Sequence, residues 1–249
     1  MTSSPASPNR KRRIKLVIGG AASAIVIVFL LVYFVIFPTS SPKPFKLATS
    51  TASGSDTSTA SNGSPVAATQ LAGTWKLASG SQAGYRVREK LAFLPAQSDA
   101  VGRTSSMTGS ATFADSAGTV TITAASFDVA VNTLKSDRSM RDEKIHSIGL
   151  ESDRYPTATF ALSTPVTLPA SALAGKVVRV SVTGVFDIHG VSRRETLPVE
   201  LSVSGSTVEA VGSLTFPWSE FGMTAPSIGG FVNVTEHATM EFDLRLQRS

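Results

Sequence analysis

The sequence contains no cysteine. The chain therefore has no disulfide, no thiolate nucleophile or cysteine metal ligand, and no lipidated cysteine that could attach it to a membrane. Only 16% of its residues are charged, and it has no G-x-S-x-G elbow, no phosphate-binding glycine loop and no H-E-x-x-H helix. These absences predict a protein that is not an enzyme and that requires no metal or other cofactor.

Histidine is also scarce, with three in the whole chain: His146, His189 and His237. We expect them on a helix, in a hairpin turn and in a loop before the last strand, so their convergence on one metal ion would be accidental. His189-Gly190 is more simply explained as turn chemistry.

Positive charge is concentrated at the N-terminus. Of the 23 Lys and Arg residues seven lie before residue 71, and of the 18 Asp and Glu residues one does, which leaves 16 basic and 17 acidic residues in 71–249. The net charge of +5 therefore does not belong to the folded region, and no nucleic-acid partner is expected.

Residues 16–37 form an apolar run without a charge. As a helix, a run of this length spans the hydrocarbon core of a bilayer, which is about 30 Å thick. The basic cluster within residues 10–15 then places the tail 1–15 in the cytoplasm and everything after residue 37 outside the cell membrane. A cleaved signal peptide is the alternative, but its apolar region would be only about 7 to 15 residues long. The sequence predicts a single-pass, uncleaved anchor.

Residues 38–70 are rich in Ser, Thr, Ala, Gly and Pro and contain almost nothing that could be buried. This composition predicts a disordered linker. As a flexible coil, it would have a mean reach of roughly 30 Å. Residues 71–249 remain as the folded domain.

From Gly73 onward apolar and polar residues alternate, which is typical of strands with one buried face. We expect strands at 85–93, 107–113, 120–131, 157–162, 178–188, 197–203, 208–218 and 240–246. About eight antiparallel strands are too many for an open sheet with one face uncovered, so they predict a barrel or a sandwich. In the third strand the apolar parity shifts, which predicts a bulge near Ala125.

A barrel of about eight strands either fills its interior with side chains or holds one small ligand. Gly184 and Gly212 lie within strands and leave room that a packed core would fill, which favours a cavity, although a glycine can equally mark a bend. The expected lining of the interior and mouth is Tyr85, Phe93, Phe113, Phe127, Arg141, Ile145, Phe160, Phe186, Phe216, Trp218 and Phe242.

The stretch 138–160 interrupts the strand pattern with a helical one. Ser136 or Ser139 can cap this helix, and Gly149 can end it. Arg141 falls inside the apolar arc of the helix, where an unpaired charge would be costly. Either it pairs with a carboxylate such as Glu89, or it binds an anionic ligand headgroup.

Several short motifs occur in a characteristic order: Gly73-Thr74-Trp75, Arg141-Asp142, Tyr155-Pro156-Thr157-Ala158-Thr159-Phe160, His189-Gly190-Val191 followed by Thr196-Leu197, and Phe221-Gly222-Met223. Together they resemble the YceI-like family, the lipocalin-like proteins associated with polyisoprenoid or lipid binding. The resemblance implies an eight-stranded antiparallel barrel with a helix at one side, whose apolar interior accepts a prenyl or acyl chain. Two positions depart from the family pattern. Lys144 stands where a histidine often follows the Arg-Asp pair, and Glu236-His237 replaces Asp-Glu near the final strand.

We therefore expect a membrane-anchored, extracytoplasmic lipocalin-like barrel that sequesters or transports an amphiphilic chain, such as a polyisoprenoid or a fatty-acyl lipid. The alternative is an envelope interaction or stress-response module with a filled barrel. In that case Trp218, Phe221 and Met223 would form an apolar lip for a protein partner, although the same residues could equally guard the mouth of a lipid cavity. The oligomeric state is not indicated by the sequence.

Overall fold

The computed structural model describes residues 41–47, 65–91, 97–228 and 232–249. The anchor expected at residues 16–37, most of the linker, and Phe93 lie outside the described residues. Within the described ranges, no helix is both long enough and apolar enough to cross a membrane. Residues 42–249 form one unit, which contains every described strand.

The described residues contain twelve strands: β1 Gly73–Leu77, β2 Gln82–Leu91, β3 Gln97–Thr104, β4 Met107–Ser116, β5 Thr119–Ala130, β6 Thr157–Leu162, β7 Val166–Thr167, β8 Val178–Ile188, β9 Val191–Ser204, β10 Thr207–Pro217, β11 Ser227–Ile228 and β12 Val232–Arg248. Three short helices accompany them: α1 Ala68–Leu71, α2 Ser139–Lys144 and α3 Ala170–Leu173. A π turn at Ile145–Gly149 extends α2, and 3₁₀ turns lie at Val131–Thr133 and Trp218–Phe221.

The strands follow eight paths around a closed antiparallel barrel. β1 and β2 share the first path, because both pair with the same edge of β12. β4 pairs with β1 and β3 pairs with β2, so β4 and β3 share the second path. β5, β6, β8, β9, β10 and β12 complete the ring in that order. Pairing of β1 with β12 closes it. The all-β, eight-stranded barrel expected from the sequence is confirmed.

Two local features of the wall agree with the sequence. Thr112 pairs with Ala124 and Phe113 with Ile122, so the extra residue of the bulge is Thr123, two positions from Ala125. His189 and Gly190 have φ angles of 56° and 71° and join β8 to β9 as a two-residue hairpin turn. Positive φ at both central residues is the signature of a type I′ turn, which glycine favours.

The helical insertion differs from the expected single helix. The α-helix ends at Lys144, and the chain continues to Gly149 as a π turn. Neither Ser136 nor Ser139 caps it, since the N-cap position is Arg138 and carries no side-chain bond. Instead the Asp142 carboxylate reaches back past the N-cap and accepts a hydrogen bond from the Ser136 backbone N–H at 2.8 Å, similar to the backward bond that the acidic residue of a capping box makes.

Each end of the barrel is covered by a helical segment. At one end, Leu71 of α1 and Trp75 of β1 are 0% and 1% exposed, and the indole Nε1 of Trp75 donates to the Leu71 carbonyl at 2.7 Å. At the other end, Ile145 of the π turn is 3% exposed. The interior core therefore continues into both of these caps.

Two stretches inside the linker depart from the expected disorder. Residues 42–47, called the strap below, lie on the outer side of β2 and β3: Arg86 Nη2 donates to the Pro42 carbonyl at 2.7 Å, and Arg103 Nη2 donates to the Lys43 carbonyl at 2.6 Å. Residues 65–71 lead into α1. Leu47 and Val66 are among the few apolar residues of the linker, and each is buried to below 10% exposure. Their burial offsets the ordering of the chain around them.

Candidate functional site

The barrel encloses a cavity of about 200 Å³. Its lining comes from all eight strand paths and is almost wholly apolar. Glu241, the one charged lining residue, directs its carboxylate to Arg103 Nη2 at 2.8 Å and to Arg86 Nε at 3.3 Å. Because an apolar cavity of about 150 Å³ accommodates benzene, this space can hold a segment of a hydrocarbon chain.

The inward-facing phenylalanines around this cavity differ in how far they are buried. Phe113 and Phe186 are buried, whereas Phe127, Phe160 and Phe242 line the same cavity and are only half-buried. Apolar surface left open inside a core forgoes the contacts that close packing normally supplies. The cavity is thus a site where a second apolar molecule would gain those contacts.

Nine of the eleven residues expected to bind a ligand line the cavity: Tyr85, Phe113, Phe127, Ile145, Phe160, Phe186, Phe216, Trp218 and Phe242. Phe93 is outside the described residues, and Arg141 is not in the lining. Smaller members of the lining, such as Ala125, Val182 and Met240, were missing from the expected set, although the parity of their strands places them on the inward face. Ligand contact by any of these residues stays a prediction.

Arg141 is held by carboxylates at the α2 end of the barrel. Its Nε and Nη2 donate to the two carboxylate oxygens of Glu89 at 2.8 and 2.9 Å, and its Nη1 donates to Asp137. Burial acts to lower the pKa of Arg141, but the bonds with Glu89 and the Asp137 charge outweigh that effect and raise it. Of the two roles left open by the sequence, the structure shows the ion pair with Glu89.

The Tyr85 hydroxyl is a buried polar group next to the apolar interior of the barrel. The Tyr85 ring lines the cavity, but the hydroxyl has no hydrogen-bond partner among the residues that the structure describes. The nearby Ser136 hydroxyl accepts from the Arg138 N–H and donates to the Arg138 carbonyl instead. Burial is the main cause that raises the pKa of Tyr85, so the phenol stays neutral and can donate a hydrogen bond.

Glycines within the strands shape the cavity in a different way from that expected. A Cβ on Gly184 would lie 2.1 Å from Cε2 of Phe160, and a Cβ on Gly212 would lie 2.6 Å from Cζ of Phe242. Each glycine is therefore covered by an aromatic ring from the neighbouring strand, and the space above it is occupied. Gly102 and Gly109 are covered in the same way by Tyr85 and Phe127. Because these rings lie against the wall, they leave the centre of the barrel open.

Two of the three histidines, His146 and His189, have structural partners. His146 Nε2 donates to the Leu134 carbonyl at 3.0 Å, so its Nδ1 accepts from the Ser152 hydroxyl at 2.6 Å. Ser152 is 1% exposed and no substrate can reach it. His189 Nε2 contacts Glu151 at 2.6 Å. No cluster of three possible metal ligands occurs in the described part of the chain.

Trp218, Phe221 and Met223 do not form an exposed apolar lip. They are 5%, 0% and 6% exposed, and Trp218 and Met223 line the cavity. The Trp218 indole Nε1 donates to the Thr235 carbonyl at 2.9 Å, which fixes the ring beneath the start of β12. These residues therefore offer no exposed apolar lip to a partner, and two of them are part of the cavity wall.

Comparison with known proteins matches the barrel to one family. The model of the YceI-like domain matches residues 75–246. Among solved structures, a polyisoprenoid binding domain from Saccharophagus degradans, implicated in plant cell wall breakdown, is 14% identical with a TM-score of 0.52. The alignment covers 72% of this chain and 99% of that one, and this likeness shows the fold alone.

Two further structures are similar at lower scores. BcnA of Burkholderia cenocepacia is 20% identical with a TM-score of 0.48, over 66% of this chain and 95% of that one. The Campylobacter jejuni YceI protein is 13% identical with a TM-score of 0.43, over 56% and 80%. A search of the curated proteins found no match.

Proposed function

We propose, because the chain belongs to the YceI-like domain family, that its barrel binds the apolar chain of a neutral lipid of the polyisoprenoid class. The observation that carries this proposal is the apolar cavity of about 200 Å³, in which no unpaired charge is found among the lining residues. The domain from Saccharophagus degradans, described as polyisoprenoid binding, supports the choice of chain.

Apolar burial supplies the binding energy in this proposal. Each methylene transferred from water contributes about 0.8 kcal/mol, and the half-buried rings of Phe127, Phe160 and Phe242 gain contacts at the same time. A carboxylate or phosphate inside the cavity would meet no free cation there, because the Arg141 guanidinium is taken by Glu89. The proposal involves no covalent chemistry.

The same proposal places the barrel outside the cell membrane on the anchor formed by residues 16–37. The uncharged run and the basic cluster that precedes it support this orientation. Reporter fusions after residue 40 test it: a periplasm-active alkaline phosphatase should be active there, and an active cytoplasmic reporter would reverse the topology.

Lipid binding is tested on the full chain purified in detergent, with retinol as a neutral isoprenoid alcohol. Ala158 and Ala161 lie three residues apart on β6; Ala158 lines the cavity and Ala161 is exposed on the outside. We expect Ala158→Trp to fill the cavity and to reduce retinol affinity at least tenfold, while Ala161→Trp binds as the parent does. Ala158→Met serves as a smaller filling variant if the tryptophan prevents folding. Absence of saturable retinol uptake by the parent would overturn the proposal.

A further inference from the structure

The wall of the barrel is interrupted between β6 and β8. These strands pair from Thr159–Asp187 to Leu162–Gly184, and the Ser163 N–H adds one bond to the Thr183 carbonyl at 3.0 Å. The chain then leaves β8, and Val166 pairs with Ile122 of β5 instead. The gap between residues 164–167 and 177–182 is called the seam below. Pro165 lies in it and has no N–H to donate.

The cavity reaches the seam from inside. Leu162 and Val166 on one side, and Val180 and Val182 on the other, all belong to the cavity lining. Leu162 and Val182 are half-buried although both face inward. Outside, Val177 and Val185 are 42% and 36% exposed, among the largest exposures of apolar side chains in the described residues. Apolar side chains therefore border the seam on its inner face, and on its outer face Val177 lies in the seam and Val185 in the adjoining β6–β8 ladder.

A second interruption, between β9 and β10, is closed by comparison. Its ladder stops at the pair Val199–Gly212. The residue of β9 just beyond this last pair is Pro198. The lining residues beside it, Leu197 and Phe216, are 2% and 5% exposed, and Val166 and Val180 at the seam are each 8% exposed, so the two interruptions differ in what covers them from outside. The turn Trp218–Phe221 also packs across this region, and Arg193 Nε donates to the Glu220 carbonyl at 3.1 Å.

The two ends of the barrel are closed as well. Leu71 and Trp75 fill one end, and Ile145 together with the Arg141–Glu89 ion pair covers the other. Opening either end requires displacement of a buried side chain or an ion pair. At the seam, the edges of the wall can part without loss of a strand–strand hydrogen bond.

We propose that the seam is the portal through which the lipid chain enters and leaves the barrel. This inference rests on the proposed function and adds the route of the ligand. The chain passes Leu162 and Val182 through the seam, while the β6–β8 hydrogen bonds that end at Ser163 and the β5–β7 pairs stay intact. Retinol exchange should therefore depend on free movement of the seam and be insensitive to constraints elsewhere in the wall.

The cysteine-free sequence allows each part of the wall to be bridged selectively. If the β6–β8 register is extended, Pro165 and Ser181 are the second pair beyond Ser163 and Thr183; both are exposed and lie on the outer face of the wall. We would join Pro165→Cys and Ser181→Cys in the full chain with a short bismaleimide. One control bridges Pro198→Cys to Ser213→Cys across the second interruption. The other joins Thr215→Cys to Thr239→Cys, whose parent hydroxyls are 2.8 Å apart in an unbroken ladder.

Stopped-flow quenching of tryptophan fluorescence by retinol reports association and dissociation, because Trp218 lines the cavity. We expect the seam bridge to slow both rates at least tenfold and to leave the equilibrium Kd within twofold, with both controls unchanged. Unaltered rates in the bridged seam, or larger slowing in the Pro198–Ser213 control, would overturn the portal while the proposed function stands. If no variant takes up retinol, the proposed function fails and the portal fails with it.

Discussion

Arg141 and Glu89 form a buried, two-bond ion pair beside an apolar cavity. Their side chains are 12% and 9% exposed, so neither charge is well solvated once the other is removed. Removal of one partner from such a pair costs more than the pair itself contributes, because an uncompensated charge stays buried. Arg88, on the same strand as Glu89, is 58% exposed and pairs with Asp99 at the surface.

We expect Arg141→Met to lower the free energy of unfolding by about 3 kcal/mol, since it leaves the buried Glu89 carboxylate without its partner. Glu89→Met/Arg141→Met should recover most of that loss, because two apolar side chains replace the pair. Arg88→Met is the matched surface control and should change stability by less than about 0.5 kcal/mol. Urea unfolding measures all three. Equal losses in the single and double variants would contradict an ion-pair role.

Gly184 is a second residue whose role can be isolated. A methyl group there would overlap the Phe160 ring, so we expect Gly184→Ala to destabilise the barrel by about 1–3 kcal/mol. Gly184→Ala/Phe160→Leu should recover the part of this loss that the ring causes; the rest should remain, because the added Cβ also lies 2.7 Å from the Ala161 carbonyl oxygen. Thermal unfolding followed by circular dichroism tests this, and a tolerated Gly184→Ala would show that the ring can move freely.

At the scale of elements, strand prediction succeeded where alternation was strong. β6 and β8 lie at the predicted residues 157–162 and 178–188, because Val178, Val180 and Val182 alternate with polar residues. β3 was missed: apart from Ala100 and Val101, Gln97–Thr104 has no hydrophobic residue, and the strand is held by its ladder with β2. Its outward charges, such as Arg103, acquire partners only in the tertiary structure.

The strap is an element that the amino-acid composition did not predict. Phe45 lies under the Arg103 guanidinium, with Cζ 3.8 Å from the ring centroid, and Leu47 is 6% exposed. A segment rich in Pro and Lys gives no sequence signal for such docking, because its partners are residues of β2 and β3.

Phe45→Ala should release the strap. The variant loses the cation–π contact, worth about 0.5–1 kcal/mol at an exposed site, and we expect trypsin to cleave the full chain severalfold faster after Lys46. Cleavage after Lys176, on the exposed loop before β8, serves as the internal control in the same digest and should keep its rate. Mass spectrometry of timed digests measures both sites. Unchanged cleavage after Lys46 would show that Phe45 does not hold the strap.

At the scale of the whole molecule, two carboxyl groups couple folding to pH. Burial is the main cause that raises the pKa of Asp243, with Arg245 and Arg103 opposing it. Burial, and then the charge of Asp243, raise the pKa of Glu209. Asp243 Oδ1 is also buried without a hydrogen-bond partner among the described residues. Since the unfolded chain has ordinary pKa values, these groups favour the fold when protonated, and this contribution declines as pH rises through their folded values.

Asp243→Asn should therefore stabilise the protein near neutral pH and lose this advantage as the pH falls to about 4. Urea unfolding of parent and variant across this interval measures the difference. Asp153→Asn, at an exposed position, is the matched control. A difference between parent and Asp243→Asn that stays constant with pH would contradict the assignment.

The candidate site was predictable in its composition and less so in its geometry. Inward parity identified eight of the nine predicted lining residues, because period-two alternation directly reports the face of a strand, and the apolar arc of the predicted helix identified Ile145. Whether Arg141 bound a ligand or Glu89 depended on a contact across 52 positions of sequence, which no local pattern encodes.

The rings that lie over Gly102, Gly109, Gly184 and Gly212 have a consequence for the size of ligand the protein can hold. The number of strands sets the circumference of the barrel, but the bore is what remains after the lining is subtracted. At these four positions a ring of the neighbouring strand occupies the place that a side chain on the glycine would take, so one side chain lines the wall where two otherwise would. The volume available to a ligand therefore depends on the thickness of this lining. Substitution of a single ring can change that volume while every strand pair keeps its register.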